Sequence, residues 1–259
     1  MNLPTFYAEA TGNTFLIVIN CQSNIAIDSQ SINSLIKFNQ HLDFDGILIV
    51  SKHLRYEFEV EYFNNDGSFE TLCINGCRCV SLIMYQHFGL PKKFQFVAGD
   101  GLHVAEVLSG QNIKITLSPP QFLTDKLSLF NLSGRSVDVG VKHFVINFNR
   151  PIVESTIKVL GKKIRNHQYF KPKGTNVNFY RAIDSYTIDV HTYEKGVEKY
   201  MLSCATGSVA ACYDAFKRGL VGSHITAINP GGKLIVEFNS QWRDVWLKGP
   251  AKIISQIQK

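Results

Sequence analysis

The chain of 259 residues is 45% hydrophobic, 12% aromatic and 19% charged, and 27 Lys and Arg against 21 Asp and Glu give a formal charge of +6. A chain of this length buries roughly 70–75% of its unfolded surface and needs neither disulfides nor a metal to hold a core, and its aromatic content excludes disorder. The basic excess is scattered in runs no longer than two, such as Lys92-Lys93 and Lys217-Arg218, so neither nucleic acid nor a membrane is expected as a partner.

The opening residues carry no basic segment followed by an apolar run, so no secretory signal is expected. No stretch reaches the roughly 18–20 apolar residues of a membrane helix, and the expected location is the cytoplasm. Strand-like runs rich in Val, Ile, Phe and Tyr follow at 13–20, 46–50, 94–98, 112–117, 142–149, 187–192 and 233–238. Turn signals at Asp66-Gly67, Asp100-Gly101 and Pro230-Gly231-Gly232 separate them. Two apolar helical segments interrupt this pattern, one after Cys73 and one after Cys204. They stop at Gly89-Leu90 and Gly219-Leu220, where glycine permits a left-handed terminal turn.

The chain repeats itself at about half its length. Cys73-Ile74-Asn75-Gly76 and Cys204-Ala205-Thr206-Gly207 lie 131 residues apart, and Gly89 and Gly219 lie 130 apart. The turns Asn65-Asp66-Gly67 and Glu194-Lys195-Gly196, and the strands 13–20 and 142–149, each recur at 129. Four correspondences in register predict a duplication, with residues 1–118 carrying Cys73, residues 119–259 carrying Cys204, and the last strand able to return to the first half. The boundary is expected near Ser118-Pro119-Pro120. A helix apolar on most sides, as 209–216 is, has to be wrapped by sheet. The expected fold is therefore α+β, two pseudo-symmetric halves, each a curved β-sheet or barrel around a central helix.

Six cysteines without an export signal imply reduced thiols rather than a disulfide framework. No C-x-x-C pair has a partner pair, and Cys77 and Cys79 are badly spaced for one zinc ion, so neither a metal nor a cofactor is expected. Cys73 and Cys204 stand apart because each precedes a helix start, where unpaired N–H groups and the helix dipole lower a thiol pKa and attract carboxylates. Thr206 and Asn75 are the candidate N-cap residues. Cys21, Cys77, Cys79 and Cys212 lack this placement and are assigned to packing. Two thiols related by approximate symmetry suit one chemistry above others: inversion at the α-carbon of an amino acid, if the duplication brings the halves face to face. One group removes the α-proton while the other protonates the opposite face, and helix-start amides stabilise charge developing on the substrate carboxylate.

These residues resemble the diaminopimelate epimerase family, cofactor-independent enzymes that interconvert LL- and meso-diaminopimelate in lysine and cell-wall synthesis. The resemblance runs nearly end to end. It is carried by Gly12-Asn13-Thr14-Phe15, Asp45-Gly46-Ile47-Leu48, Phe63-Asn64-Asn65-Asp66-Gly67-Ser68, Cys73-Ile74-Asn75-Gly76-Cys77-Arg78-Cys79, Asn176-Val177-Asn178-Phe179, Glu194-Lys195-Gly196-Val197, Cys204-Ala205-Thr206-Gly207, Gly231-Gly232 and Gly249-Pro250-Ala251. The resemblance implies a catalytic pair, Cys73 and Cys204, supported by His143 and Glu194. It implies substrate contacts from Asn13, Asn64, Asn176 and Lys195 and from the helix starts at Ile74, Asn75 and Gly76 and at Ala205, Thr206 and Gly207.

The departures lie around the substrate. Ile74 and Ala205 replace glycines, Lys195 replaces the Arg that grips the distal carboxylate, and a two-pronged contact becomes a point charge. Val141-Lys142 replaces the polar pair before the histidine, Tyr200-Met201 replaces Glu-Thr before the second block, and Thr14 replaces an Asp. The expected activity is an isomerase acting on diaminopimelate by a thiol/thiolate mechanism. The alternatives are a racemase for another amino acid such as histidine, or a non-catalytic amino-acid-binding relative. A proline-racemase-like reading also uses two cysteines but fits the opening segments less well. The partner is a small amino-acid substrate, with a homodimer left open.

Overall fold

Alternating apolar residues build strands throughout the chain, and in the computed structural model, which describes residues 3–23 and 25–257, these strands fall into two units. The first comprises Met1–Ile115 with Pro250–Lys259, the second Thr116–Gly249.

In the first unit, β1 (Thr5–Ala10) and β2 (Asn13–Ile19) pair antiparallel, and α1 (Ser29–Phe38) leads to β3 (Gly46–Ser51), which runs parallel to β2. The antiparallel β4 (Glu59–Asn64) and the short β5 (Phe69–Glu70) follow, then α2 (Ile74–Phe88) and the meander β6 (Lys93–Ala98), β7 (Gly101–Val107) and β8 (Asn112–Leu117). β6 joins β4 in parallel, and the C-terminal strand Lys252–Ile257 closes on β1. β3 reads as a continuous apolar run because both of its faces are covered. Leu16, Val18, Ile47 and Ile49 pack with Ile32 of α1, helped by Leu35 and Ile36. Leu48 instead meets α2, where a Cβ on Gly76 would stand 2.7 Å from its methyl carbons. Helix α2 packs against β1, β2, β3, β7 and the C-terminal strand. Every residue from Ile74 to Met84 is accordingly buried, and the helix ends at Gly89 in the left-handed region with φ 72°.

The second unit repeats this order. The strands β9 (Gln121–Phe122), β10 (Leu127–Leu129) and β11 (Leu132–Asp138) precede β12 (Lys142–Asn147), and α3 (Glu154–Arg165) leads to the parallel β13 (Asn176–Asp184). The antiparallel β14 (Thr187–Glu194) and β15 (Lys199–Met201), the helix α4 (Ala205–Lys217), and β16 (His224–Asn229), β17 (Gly232–Phe238) and β18 (Val245–Pro250) complete it, with β16 parallel to β14. Helix α4 packs against β11, β12, β13, β14, β16 and β17, and Ala205 to Ala215 are all buried. Its one internal carboxylate, Asp214, accepts hydrogen bonds from the Tyr180 hydroxyl at 2.6 Å and Arg218 Nε at 2.7 Å, as a buried charge requires.

The chain thus forms the expected α+β fold, a curled mixed sheet around a buried helix in each half. The addition is a second helix per half, α1 and α3, on the outer face of the sheet. Its reason is topological: the parallel pairs β2–β3 and β12–β13 cannot be joined by a hairpin turn and need a crossover connection. The outer helices are mostly polar, with only Ile32 buried in α1 and Ile157, Gly161 and Ile164 in α3, so they stand out less in sequence than the central ones.

Candidate active site

Both cysteines occupy the N-cap position of a central helix, in extended backbone, and the expected caps Asn75 and Thr206 lie instead inside the first turn. Cys73 has φ −134° and ψ 95°, Cys204 has φ −136° and ψ 113°, and neither thiol forms a side-chain capping bond to its helix. All six cysteines are thiols. Burial pushes the thiols of Cys77, Cys79 and Cys212 well up, which suits packing rather than chemistry.

In the first unit, the helix start beside Cys73 is held by a buried polar network. Arg78, fully buried, donates from Nη1 to Asn75 Oδ1 at 2.9 Å, from Nη2 to Thr11 Oγ1 at 2.9 Å and from Nε to the Pro250 carbonyl at 3.3 Å. Asn75 donates to Asn13 Oδ1 at 2.6 Å, and Asn13 donates to Asp45 Oδ2 at 3.0 Å. Asn13 and Asn75 are thus brought together, one on β2 and one on α2. Asn64 closes the turn after β4, donating from Nδ2 to Ser68 Oγ at 2.9 Å. Ile74 is 1% exposed, so the carbons it adds over glycine are taken up by packing.

In the second unit, parallel strands place His143 at the start of β12 opposite Asn176 at the start of β13. The Asn176 side-chain oxygen accepts the Lys195 backbone N–H at 2.8 Å, which holds the Glu194–Lys195 turn against β13. His143 lies in a line of polar groups leading to the cysteine: its Nε2 is 3.0 Å from Thr206 Oγ1, and Thr206 Oγ1 is 3.5 Å from Cys204 Sγ. Ala205 is buried, and Gly207 leaves room where a Cβ would stand 2.1 Å from Asn178 Nδ2.

A helix start is expected to lower a thiol pKa, yet the Cys204 thiol is pushed up to about 12. Burial does most of this and the Glu194 carboxylate adds to it, outweighing the opposite pull of the Thr206 and Gly207 amides and the pull that the Thr206 hydroxyl would exert with its proton directed at sulfur. Desolvation of a buried anion exceeds what a half-charge dipole returns. Burial and Glu194 thus both favour the Cys204 thiol over its thiolate.

Burial also drives His143 down to about 4, against the opposing effect of its hydrogen bond to Asn178 Oδ1. Below the ordinary histidine pKa of about 6.5 the unfolded chain takes up a proton that the folded chain refuses. Stability is therefore full above pH 6.5 and is lost as pH falls toward 4, by up to about 3 kcal/mol. Urea midpoints measured between pH 7 and 4.5 are expected to show this loss, with a smaller slope in His143→Gln; equal slopes would contradict it.

Arg78, Thr11, Asp45, Asn178 and Thr192 were not singled out as site residues from sequence. Asn178 was within reach, because it shares a strand face with Asn176 at the two-residue period of β structure. Among the described residues, no group of three or more His, Cys, Asp or Glu could hold a metal ion, and no helix is long and apolar enough to cross a membrane.

A family model described as diaminopimelate epimerase matches residues 6–123. The chain is 32% identical to the diaminopimelate epimerase of Aquifex aeolicus, over 93% of this chain and 92% of the relative. It is 30% identical to that of a Hydrogenobaculum species, over 93% of each. Among solved structures, a hydroxyproline epimerase from Agrobacterium vitis with bound trans-4-hydroxy-L-proline superposes with a TM-score of 0.73 at 12% identity, covering 98% of this chain and 91% of that one. A PhzF-family phenazine biosynthesis protein from Bacillus anthracis gives 0.72 at 10% identity, covering 98% of each. At such identities the two structures share the fold.

Proposed function

The chain belongs to the diaminopimelate epimerase family, and from that premise we propose that it inverts the α-carbon of diaminopimelate, with Cys73 and Cys204 as the acid/base pair. In this reading a thiolate removes the α-proton, the electron pair delocalises into the substrate carboxylate, and the other thiol protonates the opposite face. The amides opening α2 and α4 stabilise the charge on the carboxylate oxygens. The protein works in the cytoplasm, in the supply of diaminopimelate for lysine and cell-wall synthesis.

One observation carries the reading: in each of two units with the same strand order, a cysteine immediately precedes the first turn of the central buried helix. His143 and Glu194 tune Cys204, Asn176 holds the Glu194–Lys195 turn, and Asn13 and Asn75 are joined side chain to side chain beside Cys73. Lys195 is assigned to the distal carboxylate of the substrate.

The test is turnover in deuterated water over a panel containing diaminopimelate and the ordinary amino acids. Inverted diaminopimelate with deuterium at the α-carbon is expected. Inverted product without label would remove the proton-exchange mechanism, and turnover of histidine but not diaminopimelate would move the assignment to another racemase. Lys195→Met is expected to raise KM for diaminopimelate about 10- to 100-fold with little change in kcat, because a charged hydrogen bond contributes roughly 1.5–3 kcal/mol. An unchanged KM would detach Lys195 from the distal carboxylate.

A further inference from the structure

Which cysteine holds the proton in the resting enzyme is a question that the side chains behind Cys204 answer. They form a chain of hydrogen bonds whose directions follow from the placement of the Asn178 amide. Cross-strand register places Asn178 on β13 directly opposite Thr192 on β14, and the Asn178 amide donates from Nδ2 to Thr192 Oγ1 at 2.6 Å. With Nδ2 on Thr192, the amide oxygen faces His143, with Oδ1 2.8 Å from Nδ1. An amide oxygen only accepts, so Nδ1 carries the ring proton.

His143 is buried and neutral, so its other nitrogen, Nε2, offers a lone pair. The hydroxyl 3.0 Å away on Thr206 has to donate to it. The single hydroxyl proton is then spent, and the Thr206 oxygen faces Cys204 Sγ at 3.5 Å as an acceptor. A sulfur that meets an oxygen lone pair is favoured with its proton on, and the Glu194 carboxylate acts in the same direction. With the amide reversed, Nε2 would carry the proton, Thr206 would donate to sulfur, and the thiolate would be favoured. Gly207 fits the same arrangement, since any Cβ there would displace Asn178 Nδ2.

We propose that Asn178, anchored by Thr192, fixes His143 as the Nδ1–H tautomer and thereby sets Cys204 as the resting thiol, the proton donor, leaving the base to Cys73. Asn178 and Thr192 are positioning residues that act through His143 and Thr206. The inference rests on the acid/base reading of Cys204, and its main readouts need no turnover.

The first readout is 15N NMR of histidine-labelled protein, with the His143 signals assigned by their loss in His143→Gln. Protonation at Nδ1 is expected; protonation at Nε2 overturns the proposal. The second is the rate at which iodoacetamide modifies Cys204 at pH 8 in a Cys73→Ala background, followed by mass spectrometry of the Cys204 peptide. Thr192→Val, which keeps the side-chain shape, and Asn178→Leu are expected to raise that rate about tenfold, because a released His143 can present Nε2–H and turn the Thr206 hydroxyl toward sulfur. An unchanged rate in the folded Thr192→Val protein overturns the proposal even if Asn178→Leu fails to fold. If no amino acid exchanges its α-proton, the acid/base reading fails, while the tautomer and alkylation results still decide what holds the Cys204 proton.

Discussion

Cys73→Ala and Cys204→Ala are each expected to lower kcat for inversion by about 10²- to 10⁴-fold, the range that a positioned acid or base contributes. Inversion needs a proton removed from one face and another delivered to the opposite face, so neither thiol can replace the other. The variants should differ in exchange. With Cys204 removed, Cys73 can still take the α-proton of one stereoisomer and return deuterium to the same face, labelling substrate without inverting it. Both proteins should remain folded, because a cysteine-to-alanine change deletes a single heavy atom and leaves the backbone of the helix start unchanged. Stereochemical analysis of product together with α-deuterium content checks this, and full inversion by the Cys204→Ala enzyme would end the two-base proposal.

The second large effect concerns Arg78 and stability. Arg78→Met keeps the apolar stem but removes the guanidinium that serves Asn75, Thr11 and the Pro250 carbonyl. Acceptors left unsatisfied inside a protein cost about 1–3 kcal/mol each, moderated where neighbours relax. The expected destabilisation is about 2–4 kcal/mol in urea unfolding. Because Asn75 and Asn13 hang on this cation through one chain of hydrogen bonds, the variant should also lose kcat under conditions where it is fully folded. A loss below 1 kcal/mol with normal turnover would show that the network neither supports the fold nor positions the α2 start. Burial draws the Arg78 pKa down to about 10, against the pull of neighbouring cysteines and Glu9. The group nevertheless stays charged at neutral pH, and its loss removes a buried cation from the helix that begins after Cys73.

The site divides into what local sequence could specify and what it could not. Cys73 and Cys204 were legible because helix starts, terminal glycines and turns are short-range signals that recur here at 129 to 131 residues. Their recurrence also implied two halves of one design, and the buried stretches Ile74–Met84 and Ala205–Ala215 follow from helices apolar all round. The outer helices α1 and α3 escaped because a crossover is a requirement of parallel pairing, which no short window of sequence displays. Arg78 lay inside the motif next to Cys73, but its three acceptors come from positions 11, 75 and 250.

Local signals in the chain were enough to place two thiols at helix starts and, through the order of the motifs, to point to the family and the α+β fold. The protonation of Cys204, by contrast, is set by its surroundings in the fold. A helix start alone predicts a lowered thiol pKa, whereas burial and Glu194 push Cys204 up to about 12. The Cys204 proton depends on His143, Asn178 and Thr192, which strand register and the sheet's wrap around α4 bring together. Desolvation and hydrogen-bond direction are properties of surroundings, and those surroundings exist only once strands from distant parts of the chain have paired.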